Sequence, residues 1–168
     1  PASAVDHAAS ASGGVLTDGA GIVAMGPDIF NGGRPAVEEI VDCKGAVLAP
    51  GLVDMRVDFC EPGAEHKEDI ESGSKAAAAG GVTAVVTLPD TEPAIDDASV
   101  LEFVARRARD VKLVKVFGYA TVTRGGNSDE IVEMGLLKEA GAVAFTDGRH
   151  SVANAKTLSR ALKYALDF

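Results

Sequence analysis

The sequence contains no tryptophan, two tyrosines and six phenylalanines, so only 5% of it is aromatic while 46% is hydrophobic. A core built from such a chain rests on Val, Leu, Ile and Ala, and nineteen glycines provide for many tight turns between elements. Cysteine is scarce: Cys43 and Cys60 are too few for a disulfide framework, which makes a reducing cytosol the default compartment. Long hydrophobic runs are missing. None approaches the ~20 residues that span a bilayer, and Pro1 to Ser12 lack the basic-then-apolar order of a signal peptide. The chain opens without Met, on small residues, which leads us to expect a further segment upstream. Lys and Arg are scattered through a chain of formal net charge −9, which repels phosphate backbones and anionic lipid. Nucleic acid and membrane surfaces are thereby set aside as partners.

The 168 residues suit one domain of ordinary globular composition, and their patterning changes once along the chain. Val15 to Gly26 reads as two short strands around Asp18-Gly19, a dipeptide that favours the positive φ of a hairpin turn. Glu39 to Asp42 and Ala46 to Leu48 add two extended pieces, so residues 1–50 read as the N-terminal part of a small β domain. From Leu52 onward the pattern is strand, loop, helix, repeated. Leu52 to Val57 is a buried apolar strand. Glu65 to Ala79 is a helix closed by Gly80-Gly81, and Val82 to Leu88 is a β-branched strand. A second helix from about Ala98 to Arg109 turns Val100, Leu101, Val104, Ala105 and Ala108 to one face. Leu113 to Tyr119 is a third strand, Ser128 caps a helix through Ala140, and Ala142 to Thr146 is a fourth strand. A last helix, capped near Ser151, carries Leu158, Ala161, Leu162, Ala165 and Leu166 inward. Alternating strands and helices pair in parallel, so residues 51–168 are four βα units. They belong either to an open doubly wound sheet or to half of an eight-unit barrel. Both arrangements collect ligands at the carboxyl ends of the strands, here Asp58 to Glu61, Pro89 to Thr91, Tyr119 to Thr123 and Thr146 to Arg149.

Several of these segments carry a resemblance. Asp54 followed by Glu61-Pro-Gly63, then Glu65-His-Lys-Glu68, Leu88-Pro-Asp90-Thr91-x-Pro93, and above all Glu133-Met-Gly-Leu-Leu-Lys-Glu-Ala-Gly-Ala-Val-Ala-Phe145-Thr-Asp147-Gly resemble dihydroorotase of the amidohydrolase superfamily. The likeness runs from Gly13 to Phe168. It implies an α/β fold, the first half of a (β/α)8 TIM-type barrel preceded by part of a small β-sandwich layer. It also implies reversible cyclisation of carbamoyl aspartate to dihydroorotate, in pyrimidine synthesis, by a zinc-activated hydroxide.

The departures matter more than the matches. Where the family carries two zinc-binding imidazoles at the end of the first barrel strand, this sequence has Arg56 and Asp58. An arginine keeps its proton in a protein and repels a cation. The family's substrate-binding Arg corresponds to Cys60 and the Asn of its Pro-Asn-Thr loop to Asp90, an acceptor-only side chain where a carboxylate would be held. Asp147 falls at or beside the carboxylate of the fourth strand that contacts metals in the family. Further family ligands belong to later strands than those present here.

Plainer readings stand beside these. Asp54 and Asp58 read as strand-end carboxylates facing water or pairing with Arg56, and Cys60 as a small packed side chain. His7, His66 and His150 read as solvated, and Gly80-Gly81 and Gly125-Gly126 as turns. Arg106-Arg107-x-Arg109 reads as the solvated edge of its helix, paired with Glu102. The resulting expectation is a dihydroorotase-like protein, inactive and retained as a structural partner, with no resident cofactor. The resemblance offers aspartate transcarbamoylase or another copy of the chain as that partner. Two alternatives remain. In one, the chain is an active cyclic amidohydrolase whose Asp54, Asp58, Glu61, Asp90 and Asp147 gather around Mg²⁺ or Mn²⁺, which prefer oxygen ligands, to polarise an amide and activate water. In the other, the chain is a fragment of a longer dihydroorotase, whose absent units would cover two open sheet edges.

Overall fold

The computed structural model describes residues 13–167 apart from 30, 34 and 35. Pro1 to Ser12, and with them His7, lie outside the described residues. The chain divides into two compact units at the Pro50/Gly51 junction.

In the first unit, β1 (Gly14–Asp18) and β2 (Gly21–Gly26) form an antiparallel hairpin with Asp18 opposite Gly21. Gly19 turns the chain at φ 54°, a conformation that costs glycine little. The strands expected at Glu39–Asp42 and Ala46–Leu48 do not form. Ala46 N–H closes a tight turn onto the Cys43 carbonyl at 2.8 Å, and Ile40, Val41 and Val47 are exposed. An extended segment becomes a strand only where another backbone pairs with it, and no described segment does so here.

The second unit is a three-stranded parallel sheet of β3 (Leu52–Val57), β4 (Val82–Thr87) and β5 (Lys115–Gly118), in that order across the sheet. Strands laid down in sequence order, each joined to the next by a right-handed crossover, place every helix on the same face. The helices accordingly form one layer: α1 (Ile70–Ala79) packs against α2 (Ala98–Val111), and α2 against α3 (Met134–Glu139). A doubly wound sheet reverses its strand order and clothes both faces, so the alternative left open by periodicity falls to the barrel type of winding. The fourth strand is reduced to a bridge. Ala120 pairs with Phe145 in parallel, held by Ala120 N–H to the Ala144 carbonyl at 3.1 Å and Thr146 N–H to the Ala120 carbonyl at 2.9 Å.

Helix starts differ from the sequence reading wherever a local cap or turn outcompetes periodicity. Residues 60–67 fold into consecutive turns, so α1 begins at Ile70 behind the N-cap Asp69, whose carboxylate accepts from Ser72 N–H at 2.7 Å. The helix expected from Ser128 shrinks to six residues, because Ile131 bridges back to Thr123 and Val132 N–H bonds the Val122 carbonyl at 3.1 Å. Asn154, not Ser151, caps α4 (Ala155–Tyr164), accepting from the N–H groups of Lys156 and Thr157. Gly80-Gly81 closes α1 as expected, with Gly81 at φ 80°.

Ile70, Val85, Ile95, Leu101, Val104, Val132, Leu137 and Ala161 form the core between sheet and helices. Each large side chain buried in this way contributes about 1.5–3 kcal/mol. Two apolar stretches expected inside are outside. Leu52, Val53 and Met55 are each more than 60% exposed, and along α4 only Thr157 and Ala161 are buried while Leu158 and Leu162, with Leu166 in the turn beyond the helix, face solvent. β3 has a neighbour on one side only, and among the described residues nothing packs over the outer face of α4.

Candidate functional site at the strand ends

The four segments at the carboxyl ends of the strands come together as their topology requires. Leu88 N–H bonds the Val57 carbonyl at 2.8 Å and Tyr119 N–H the Thr87 carbonyl at 3.0 Å, which aligns the ends of β3, β4 and β5. The loop after β4 is pinned by Ile95 N–H to the Pro89 carbonyl and by Thr121 N–H to the Ile95 carbonyl, at 3.1 and 2.9 Å. On this floor the short turn Thr146–His150 reaches across to the other strand ends.

The turn is tied at two carboxylates. Asp147 is buried, and both its oxygens are occupied: Oδ1 accepts from Val122 N–H at 2.7 Å and Thr123 N–H at 2.9 Å, and Oδ2 from the Thr123 hydroxyl at 2.7 Å. Asp90 Oδ2 accepts from Arg149 N–H at 2.9 Å. Gly148 lies between these two ties at φ 63°, so close beneath Asp90 that a Cβ there would strike the carboxylate. From this turn the Arg149 side chain reaches back to β3, where its guanidinium forms an ion pair with Asp58 Oδ2. The other oxygen of Asp58 accepts from Cys60 N–H at 3.0 Å, which holds Cys60 in the left-handed region at φ 56°.

Arg56 therefore does not pair with Asp58. Its own N–H is held by Asp54 Oδ1 at 2.9 Å, and among the described residues its guanidinium makes no ion pair. Glu61 is buried and committed elsewhere. Its Oε2 accepts from Ile70 N–H at the start of α1, at 2.8 Å, and its Oε1 pairs with Arg107 Nε of α2 at 2.7 Å. The Glu61 carboxylate holds the Arg107 pKa above its ordinary value. Arg107 is thus a half-buried tie between the first strand-end loop and α2, while Arg109 pairs with Glu102 on the solvated edge as expected. His66 and His150 are exposed. The crevice beside Asp54, Asp58 and Glu68 holds about 220 Å³, less than the ~300–1,000 Å³ of usual ligand pockets.

Sequence reasoning placed Asp58, Cys60, Asp90 and Asp147 at the strand ends beside Arg149 but did not pair Arg149 with Asp58, and it read Arg107 as solvated where the structure ties it to Glu61. Spacing carries no sign of a pair formed between the first and last βα units. The one local clue was Gly148, a residue of positive φ in the turn that projects Arg149.

A one-layer winding of parallel βα units in sequence order, with its loops gathered at the strand ends, is the winding of a TIM-type barrel. The solved structure of L-hydantoinase (dihydropyrimidinase) from Arthrobacter aurescens superimposes with a TM-score of 0.76 at 19% identity, covering 91% of this chain and 34% of that one. Residues 45–168 match the family model described as dihydro-orotase-like, and the chain belongs to that family. It is 47% identical over 154 residues to the dihydroorotase of Ehrlichia canis (strain Jake), covering 91% of this chain and 34% of that protein. Against the dihydroorotase of Pelobacter propionicus it is 49% identical over 131 residues, 78% of this chain and 31% of that one. The chain spans about a third of the length of these relatives.

The zinc that the family resemblance implies does not fit the residues present. Arg56 brings a fixed positive charge, Asp58 is engaged by Arg149, and Glu61 and Asp147 have their oxygens filled by protein donors. Among the described residues no three His, Cys, Asp or Glu side chains converge where a metal ion could be held. The oxygen-ligand alternative asks Asp54, Asp58, Glu61, Asp90 and Asp147 to converge, whereas among the described residues each of the five is engaged by protein donors of its own.

Proposed function

We propose that this dihydroorotase-like chain provides scaffold without performing the metal-dependent hydrolysis of dihydroorotate, and that it acts as an assembly partner within a larger barrel or complex. The observation that carries the reading is the ion pair of Asp58 with Arg149. It places a guanidinium against the only carboxylate that stands in the inherited imidazole positions, while Arg56 occupies the other. A hydrolase of this type needs a Lewis acid that polarises the amide and lowers the pKa of water, and two arginines supply neither an open coordination position nor a base.

The apolar surface supports the assembly role. Leu52, Val53 and Met55 on β3, Leu158 and Leu162 on α4, and Leu166 just beyond it, are exposed side chains of the type that partner surfaces cover. We assign their cover to further barrel units, to another copy of the chain or to aspartate transcarbamoylase. The test of the catalytic half is dihydroorotate hydrolysis by the purified chain with added Zn²⁺, followed by loss of absorbance of the ring. No turnover above the buffer rate is expected. Zinc-dependent turnover abolished by chelator would refute the scaffold reading.

A further inference from the structure

We propose that the Arg149 guanidinium is the resident cation of this strand-end mouth, fixed there by the fold in place of any exchangeable metal ion. The proposal deepens the non-catalytic reading above, since it states what holds the rim together once the imidazoles are gone. Carboxylates brought to one rim repel each other and need a positive charge among them. Asp58 follows β3 and Asp90 follows β4, and both meet the same residue: Asp58 takes the Arg149 side chain and Asp90 takes its backbone N–H. The geometry is enforced on the other side. Asp147 anchors the turn through three hydrogen bonds to Val122 and Thr123, and Gly148 has no Cβ to hold Asp90 off. One five-residue turn thus ties together the loops that follow β3, β4 and β5, with a planar, permanently charged guanidinium at its tip.

A metal ion held by deprotonated ligands binds reversibly and responds to chelators. A guanidinium supplied by the chain does neither, so the rim is predicted to be indifferent to metal. The test is thermal unfolding of the whole 168-residue chain and of Arg149→Gln and Arg149→Lys, each in EDTA, in ZnCl₂ and in MnCl₂, at low and high NaCl. For the wild type we expect the same Tm in all three additions. Arg149→Gln should unfold about 2–4 °C lower, a gap that narrows between about 0.05 and 1 M NaCl as the charge is screened. Arg149→Lys, which keeps the charge but loses the planar guanidinium, should lie between the two. Stabilisation of the wild type by Zn²⁺ or Mn²⁺, or a salt-independent gap for Arg149→Gln, overturns the proposal. If Arg149→Gln does not fold, the wild-type metal series still decides. Metal stabilisation without dihydroorotate turnover would sink the resident cation alone, whereas turnover would sink the non-catalytic reading on which it rests.

Discussion

At the scale of single residues, the rim is defined by which partner each carboxylate has found. Asp58, Asp90, Glu61 and Asp147 are all satisfied by protein donors, so restoring imidazoles alone does not rebuild a metal centre. The double substitution Arg56→His/Asp58→His is expected to remain without dihydroorotate turnover under the proposed reading, in which Cys60 and Asp90 take the place of the family's substrate contacts; measurable hydrolysis by that variant would contradict this. The Glu61–Arg107 pair makes a separate prediction. Fully buried pairs lose about 3–5 kcal/mol when one partner is removed, but Arg107 is about a third exposed. Arg107→Met should therefore cost about 2–3 kcal/mol in urea unfolding, and a cost near zero would show that Glu61 is satisfied by Ile70 alone. That Asp58, Asp90 and Asp147 fall just after parallel strands was legible in the sequence. Their partners were not, since Arg149 and Arg107 meet Asp58 and Glu61 only after the sheet has formed.

At the scale of elements, the sequence read correctly wherever a strong period met a strong punctuation. The hairpin at Asp18-Gly19, the β-branched β4, the amphipathic α2 and the Gly80-Gly81 stop are all present in the fold. It failed where short polar side chains offered rival caps. Asn154 is one of these, and Asn154→Ala should lower stability by about 1 kcal/mol, read as a lower urea midpoint with unchanged slope. Packing between elements makes a sharper prediction at Gly73, which faces the Phe59 ring so closely that an added Cβ would strike it. Gly73→Ala should cost about 1–3 kcal/mol through overpacking, despite alanine's better helix propensity; a gain in stability would show that Phe59 can move aside. The N-caps also give the fold a pH dependence. Hydrogen bonds from Ser72 and Ser99 lower the carboxyl pKa values of Asp69 and Asp97. A carboxyl lowered in the folded state contributes stability that is complete above its ordinary value and is lost as pH falls through the lowered one. Stability should therefore be flat from neutral pH down to about 4 and fall below it, and a thermal midpoint unchanged between pH 4 and pH 2 would contradict that.

At the scale of the whole molecule, the exposed apolar residues of β3 and α4 are the part that periodicity misjudged. A pattern shows that a face is apolar; it does not show which polypeptide covers it. Leu162 is 62% exposed in the middle of the α4 stripe. The isolated chain is expected to associate with itself in light scattering at micromolar concentration, and Leu162→Glu should reduce that association without lowering the Tm. A monodisperse wild-type monomer would argue against cover by another copy. The barrel winding was expected from the family resemblance, and the order β3-β4-β5 bears it out.

We propose that Arg56, Arg149 and the already engaged carboxylates stand where the family's zinc would be held, and the zinc content of the chain after expression in zinc-supplemented medium and gel filtration decides it. We expect far less than one zinc per chain, unchanged in Asp58→Ala. One or two zinc ions per chain, lost on that substitution, would contradict the claim.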